Sequence, residues 1–169
     1  KRFHWETQWE YYFKGGVEEF HQYIQPYAAR HYPSDGEGHI LDYGCGDGRI
    51  TGSLTGMWRH ITGIDVSHIV LRKARKRFPL VTFKTIDENL NYLDVFDGKH
   101  PPLDFTFAFN VFQHMKKDAV KRIIWQVHSA TKKGGGFYAI FRIKPCRKGH
   151  WYTGDDWTEK EIKSYYKEN

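Results

Sequence analysis

Cysteine is nearly absent from this chain: Cys45 and Cys146 are the two in 169 residues. They lie far apart and outside any metal-ligand spacing, which argues against a disulfide scaffold or a zinc module and leaves no metal site to expect. A free-thiol, cytoplasmic protein is the expectation. Long hydrophobic runs are lacking too, none approaching the ~18 residues a bilayer-spanning helix needs. The opening Lys1-Arg-Phe-His-Trp-Glu6 has no apolar stretch behind it, so no signal peptide is expected, and a first residue other than Met suggests a trimmed chain. No internal repeat or low-complexity tract occurs. Aromatic residues, at 17%, are too many for a disordered chain. The net charge of +6 permits an acidic partner, but no nucleic-acid-binding motif accompanies it, and nucleic acid is not an expected partner.

What is present is an alternation of strand and helix patterns. Residues 1–16 gather Phe3, Trp5, Trp9, Tyr11, Tyr12 and Phe13 among charges, and Val17, Phe20 and Ile24 form one face of a helix that Pro26 should kink or end. Ser34–Gly38 is turn-rich. Strands are expected at His39–Tyr43, His60–Val66, Val81–Ile86, Phe105–Val111 and Phe137–Ile143. Helices are expected at Arg49–Trp58, at Ile69–Arg77 behind an N-cap at Ser67, at Asp118–Thr131, and at Thr158–Lys167 behind a capping box of Thr158 and Glu161. Such an order predicts an α/β fold, a mostly parallel sheet with helices on both faces. Residues 1–38 read as an N-terminal aromatic, helical segment and residues 39–169 as the sheet-forming part of one globular unit.

The segment Ile40-Leu-Asp-Tyr-Gly-Cys-Gly-Asp-Gly-Arg49 carries the chemistry. A strand runs into alternating glycines and then into a helix, a place where a ligand can approach the backbone and free N–H groups. Dinucleotide loops have the spacing Gly-x-x-Gly after the first pair, and here the third glycine comes one residue early. Asp42 stands just before the loop, where it would repel a pyrophosphate. A cationic ligand suits it better. Asp65 ends the second strand, 17 residues past Gly48, and a carboxylate there can accept both hydroxyls of a ribose.

These residues resemble motif I of the class I S-adenosylmethionine-dependent methyltransferases, small-molecule type, and the resemblance runs in order and spacing from about Ile40 to Ile143. It implies a Rossmann-like sheet and S-adenosylmethionine as cofactor. Asp42, Tyr43, Gly44, Cys45 and Gly46 would hold its methionine part, with Cys45 a small loop residue and no nucleophile. Asp65 and Val66 would meet its ribose and adenosine. Asp87, after the third strand, would meet the adenine amino group, where family members often have Gly-Asp-Ala. Asn110, Val111 and Phe112, past the fourth strand, would border cofactor and substrate. His114 is the candidate general base, with anchoring of the following helix as its alternative role. Trp5, Trp9 and Tyr12 resemble the leading helices that close over the cofactor, where aromatic faces suit a sulfonium or ammonium; a hydrophobic staple is the alternative. The basic run Arg72–Arg77 reads as a solvated helix face.

The expected activity is methyl transfer to a small-molecule acceptor. The alternatives are a methyltransferase of protein or nucleic acid, a cofactor-binding or interaction module with a degenerate substrate site, and, more distantly, an NAD oxidoreductase. Asn110-Val-Phe-Gln113 departs from the Asn/Asp-Pro-Pro-aromatic motif of nucleic-acid enzymes. Family members add two more strands after the last helix, and these are expected to be missing here.

Overall fold

His39–Tyr43 (β1) is buried along its whole length, as befits a strand with neighbours on both edges and cover on both faces. The structure is a computed structural model that describes residues 5–87, 102–141, 143 and 154–167, with side chains from Glu10 to Ser164 within that set. β1 pairs in parallel with His60–Asp65 (β2) on one side and with Leu103–Ala108 (β4) on the other. Thr82–Thr85 (β3) flanks β2, and Thr131–Ala139 (β5) flanks β4. The result is a five-stranded, all-parallel sheet in the order β3-β2-β1-β4-β5. The order reverses at β1 and β4, and the crevice beyond the carboxyl ends of these strands is where open α/β sheets hold ligands.

Each face has its own core. Phe20, Ile24 and Ala28 from the N-terminal helices pack with Ile40, Phe105 and Phe107 on one face. On the other, Val120, Ile123 and Val127 pack with Leu41, Leu103 and Ala108. The N-terminal cover is a continuous helical rod: Trp5–Glu19 (α1), one wider π-turn at Phe20–Ile24, then Gln25–Ala28 (α2) and a tight turn to His31. Pro26 sits in the first turn of α2, and the π-turn before it takes up the kink that its missing N–H imposes. His31 stacks on Phe105 and bonds the Gly134 carbonyl through Nδ1 at 2.9 Å, tying the rod to β5.

His68–Arg77 (α3) begins at Ser67, whose hydroxyl accepts the Val70 N–H. It buries Leu71 and Ala74, while Val70 is left half-buried. Lys117–Ala130 (α4) has no side-chain cap of its own; Asp155 supplies one from afar, accepting the Lys117 N–H at 2.9 Å. Glu159–Lys167 (α5) starts with the expected capping box, Thr158 and Glu161 bonding each other's N–H groups.

Two elements differ from expectation. No helix forms over Arg49–Trp58, only turns and a short tight helix at Thr51–Leu54. Ile50 and Leu54 are buried as the periodicity requires, but the backbone of Gly52 lies flat against Phe78, with 2.3 Å between that ring and any Cβ there. The second difference is at Gly134–Gly136. The last strand, expected at Phe137–Ile143, starts at Thr131 and ends at Ala139 instead, and these glycines form an irregularity within it, the partners jumping from Leu103↔Thr131 to Phe105↔Gly136. Beyond β5, the described residues add an isolated bridge between Ile143 and Trp157. No described helix is long and apolar enough to cross a membrane.

Candidate functional site

Asp42 points off the end of β1 into the crevice with 3% of its surface exposed. Thr51 donates its hydroxyl to Oδ2 at 2.6 Å. Burial, and to a lesser degree the charge of Asp65, pushes the Asp42 carboxyl up to about 7, against the opposing pull of Thr51 and Arg49. The chain then turns sharply. Gly44 has φ +75° and would place a Cβ 2.5 Å from Val111, so no other residue fits between β1 and the loop after β4. The Gly44 and Cys45 N–H groups both donate to the Ile64 carbonyl, at 2.8 and 3.0 Å. The Gly46 N–H donates to Asp65 Oδ2 at 3.0 Å, and Gly48 N–H donates to the Cys45 carbonyl at 3.0 Å. The loop therefore spends these four N–H groups on the protein. The thiol of Cys45 is buried, its pKa raised first by that burial and then by Asp42 and Asp65, so it stays protonated.

Two cavities flank Gly44, which lines both. One, of about 350 Å³, is lined by Asp42 and the Cys45–Asp47 loop, by Val70 and Lys73 of α3, and by Tyr12 and Phe109. The other, of about 400 Å³, lies between Tyr43, Asp65, Val66 and Ile86 on one side and Asn110, Val111, His114 and Met115 on the other. Both volumes suit a small organic ligand. Asp65 holds its two oxygens apart, one on the Gly46 N–H and the other on the Ser67 N–H at 2.8 Å. Asn110 is the one described non-glycine residue with positive φ, +60°, a strained backbone of the kind found at ligand sites.

Of the residues singled out in the sequence, Asp42, Gly44, Cys45 and Gly46 line the first cavity and Tyr43, Gly44, Asp65, Val66, Asn110, Val111 and His114 the second. Tyr12 joins the first. Phe112 does not: it is fully buried against Tyr43 and Phe137. Asp87 is exposed beyond β3 and lines neither of these cavities, where its neighbour Ile86 does. Trp5 and Trp9 fall in α1, but their side chains, like Phe3, Glu88 and Cys146, lie outside the described residues. Lys73, Phe109, Ile86 and Met115 line the cavities without having been marked by any motif.

α1 is clamped across the glycine loop. Its Gly16 meets the Arg49 backbone so closely that a Cβ would stand 2.4 Å from the carbonyl oxygen. Glu19 pairs with Arg49, whose guanidinium lies 5.3 Å from the centre of the Tyr12 ring. The Tyr12 hydroxyl donates to Asp47 Oδ1 at 3.2 Å, and Arg77 reaches Asp47 at 3.8 Å while sitting 4.2 Å over Phe13.

A parallel sheet with this order, an acidic residue in each of two cavities and a glycine turn that lines both define a class of fold that binds small ligands at its switch point. Residues 40–135, more than half of the chain, match the family model described as a methyltransferase domain, and the chain belongs to that family. No curated protein sequence gives a significant match. Among solved structures, the chain resembles an S-adenosylmethionine-dependent methyltransferase from Clostridium acetobutylicum, with a TM-score of 0.66 and 16% identity over 92% of this chain and 79% of that one. It also resembles magnesium protoporphyrin IX methyltransferase from Synechocystis, with a TM-score of 0.62 and 15% identity over 99% and 78%. A Pyrococcus horikoshii protein gives a TM-score of 0.57 and 20% identity over 74% and 56%, so the chain spans little more than half of that protein's length. At these identities the likeness is one of fold.

Proposed function

We propose that this chain binds S-adenosylmethionine across the two cavities and transfers its methyl group to a small-molecule acceptor. One observation carries the reading: two cavities flank Gly44, each contains a carboxylate, and the loop N–H groups that would cradle a pyrophosphate are already bonded within the protein. An ammonium is drawn to Asp42 and Asp47 in the first cavity, and Asp65 in the second can accept the hydroxyls of a ribose. The cofactor supplies a methyl carbon already activated by positive sulfur, so the protein's task is alignment and exclusion of water. In this reading Asp42, Gly44, Cys45 and Gly46 hold the amino-acid part, and Asp65, Val66 and Ile86 hold the nucleoside with Tyr43, Asn110 and Val111. Asp87 lies at the adenine edge, and α1, with Trp5, Trp9 and Tyr12, closes the entrance. Because His114 shares its cavity with Asp65 and Ile86, we place it beside the nucleoside rather than at the acceptor as a base. The bonding of Arg75 to the Phe83 carbonyl and of Arg77 to Asp47 supports a small acceptor over nucleic acid, since these two cations of α3 are engaged within the protein.

Calorimetric titration with S-adenosylmethionine, its demethylated product S-adenosylhomocysteine and NAD tests the reading. The first two should bind at least 100-fold more tightly than NAD, and comparable binding of NAD would overturn it. Transfer itself is tested by incubating metabolite pools with methyl-labelled cofactor. For His114→Ala, weaker cofactor binding with turnover at saturation intact is expected; intact affinity with lost turnover would restore the base role.

A further inference from the structure

Two aromatic pairs stand side by side where the N-terminal rod crosses the ends of β4 and β5. Tyr23 and Tyr27 are four residues apart and so share one face of the rod. Tyr23 faces Phe109, with ring centres 6.1 Å apart and planes 32° apart, and Tyr27 stacks on Tyr138 at 5.2 Å and 29°. Phe109 follows β4 directly and Tyr138 lies in β5 opposite Phe107, so the two pairs sit on neighbouring strands, offset by two residues and roughly 8 Å apart on the diagonal. Phe109 also lines the cavity that holds Asp42 and Gly44. The wall of four rings is thus continuous with the chamber in which the reacting methyl group would lie.

This wall is not a finished core. Tyr23 remains 43% exposed and Tyr27 48%. Neither hydroxyl, nor that of Tyr138, has a hydrogen-bond partner among the described residues. The three phenols are near enough to affect one another: burial first, then Tyr27 and Tyr23, raises the pKa of Tyr138 and keeps its proton in place as a donor. Half-exposed aromatic rings that border a ligand chamber through Phe109, with phenol hydroxyls that bond nothing among the described residues, suit a flat ligand. The charge nearby selects further. Arg30 sits 5.7 Å from the Tyr27 ring centre, so a cation on this surface meets a like charge, while an electron-rich ring or an oxygen substituent does not.

We propose that the tyrosine wall of Tyr23, Tyr27, Phe109 and Tyr138 is the acceptor-binding surface, and that the acceptor is a flat, conjugated ring bearing an oxygen substituent. The ring lies against the aromatic faces and its oxygen takes a hydrogen bond from the phenols. This rests on the methyltransferase reading for its purpose, but its test does not need turnover.

The probes are 2-naphthol and its saturated counterpart decahydro-2-naphthol, which carry the same hydroxyl with and without a flat π-system. Both are titrated by saturation-transfer NMR into the chain with and without S-adenosylhomocysteine. The wild type should bind 2-naphthol at least tenfold more tightly than the saturated compound. Tyr23→Leu and Tyr27→Leu should each lose most of that preference, while Tyr27→Phe, which keeps the ring, should stay within about threefold of wild type. Equal affinity for the two probes, or leucine variants that bind as wild type, would overturn the proposal. Binding of S-adenosylhomocysteine by the leucine variants should be unchanged. If the wild type failed to bind that nucleoside, the cofactor reading would fall, and the naphthol comparison on the unliganded chain would still decide the wall's role.

Discussion

Asp42 couples the site to pH. Its carboxyl titrates near 7 in the folded chain but near the ordinary carboxylate value of about 3.9 when unfolded. Between those values the folded state keeps a proton that the unfolded state has released, so stability falls as pH rises from about 4 to about 7. The effect is at most about 4 kcal/mol at 1.36 kcal/mol per unit. Urea denaturation at pH 5 and pH 8 should show a larger loss for wild type than for Asp42→Asn; parallel changes would contradict the assignment. Gly44→Ala should cost about 2–4 kcal/mol, from its left-handed φ and from overpacking against Val111. Adding Val111→Ala should restore the steric part alone, readable from the same denaturation curves. Asp42, the glycines, Asp65, Asn110 and Val111 were legible because a local motif fixes their place at strand ends. Lys73, Phe109 and Ile86 were not, because they reach the cavities through the packing of separate elements, which no local spacing records.

At the scale of elements, α1 offers a paired test. Gly15 and Gly16 are both inside a helix, where alanine usually gains about 1 kcal/mol over glycine. At Gly15 the nearest atom to a Cβ is 3.9 Å away, an ordinary contact, whereas at Gly16 it is the Arg49 carbonyl at 2.4 Å. Gly15→Ala should therefore stabilise the chain by up to about 1 kcal/mol, and Gly16→Ala should destabilise it and push α1 off the glycine loop. Thermal melts of both variants check the opposite signs; two stabilising changes would mean that α1 does not dock as described. The same glycine logic explains what periodicity misread. Ile50 and Leu54 carry a helical spacing, yet Gly52 lets Phe78 press on the backbone, and Thr55 bonds the Gly52 carbonyl instead of extending a helix. The last strand was expected only from Phe137 because three glycines in a row, Gly134–Gly136, usually end an element, whereas here they lie within one. The five strands themselves were readable, since buried parallel strands are short apolar runs between turn signals.

For the whole molecule, a ligand that binds only the folded chain must stabilise it. S-adenosylhomocysteine at 100 times its dissociation constant should add about 2.7 kcal/mol, which for a chain of this size is a rise in Tm of roughly 5–11 °C, and NAD at the same concentration should add no more than about 0.4 kcal/mol. Scanning calorimetry reads both. The sheet order also governs when binding competence arises during folding. β1 meets β2 across the register His39↔His60, a short return of the chain, but meets β4 across Ile40↔Phe105. Closing the longer loop costs more entropy, and long-range parallel pairing is slow. The glycine turn and Asp65 therefore come together early, in the β1–β2 unit, while Phe109, Asn110 and Val111 arrive only with β4. A refolding chain should recover its strand signal before it can bind the nucleoside, so that nascent or partly unfolded molecules hold half a pocket and stay silent.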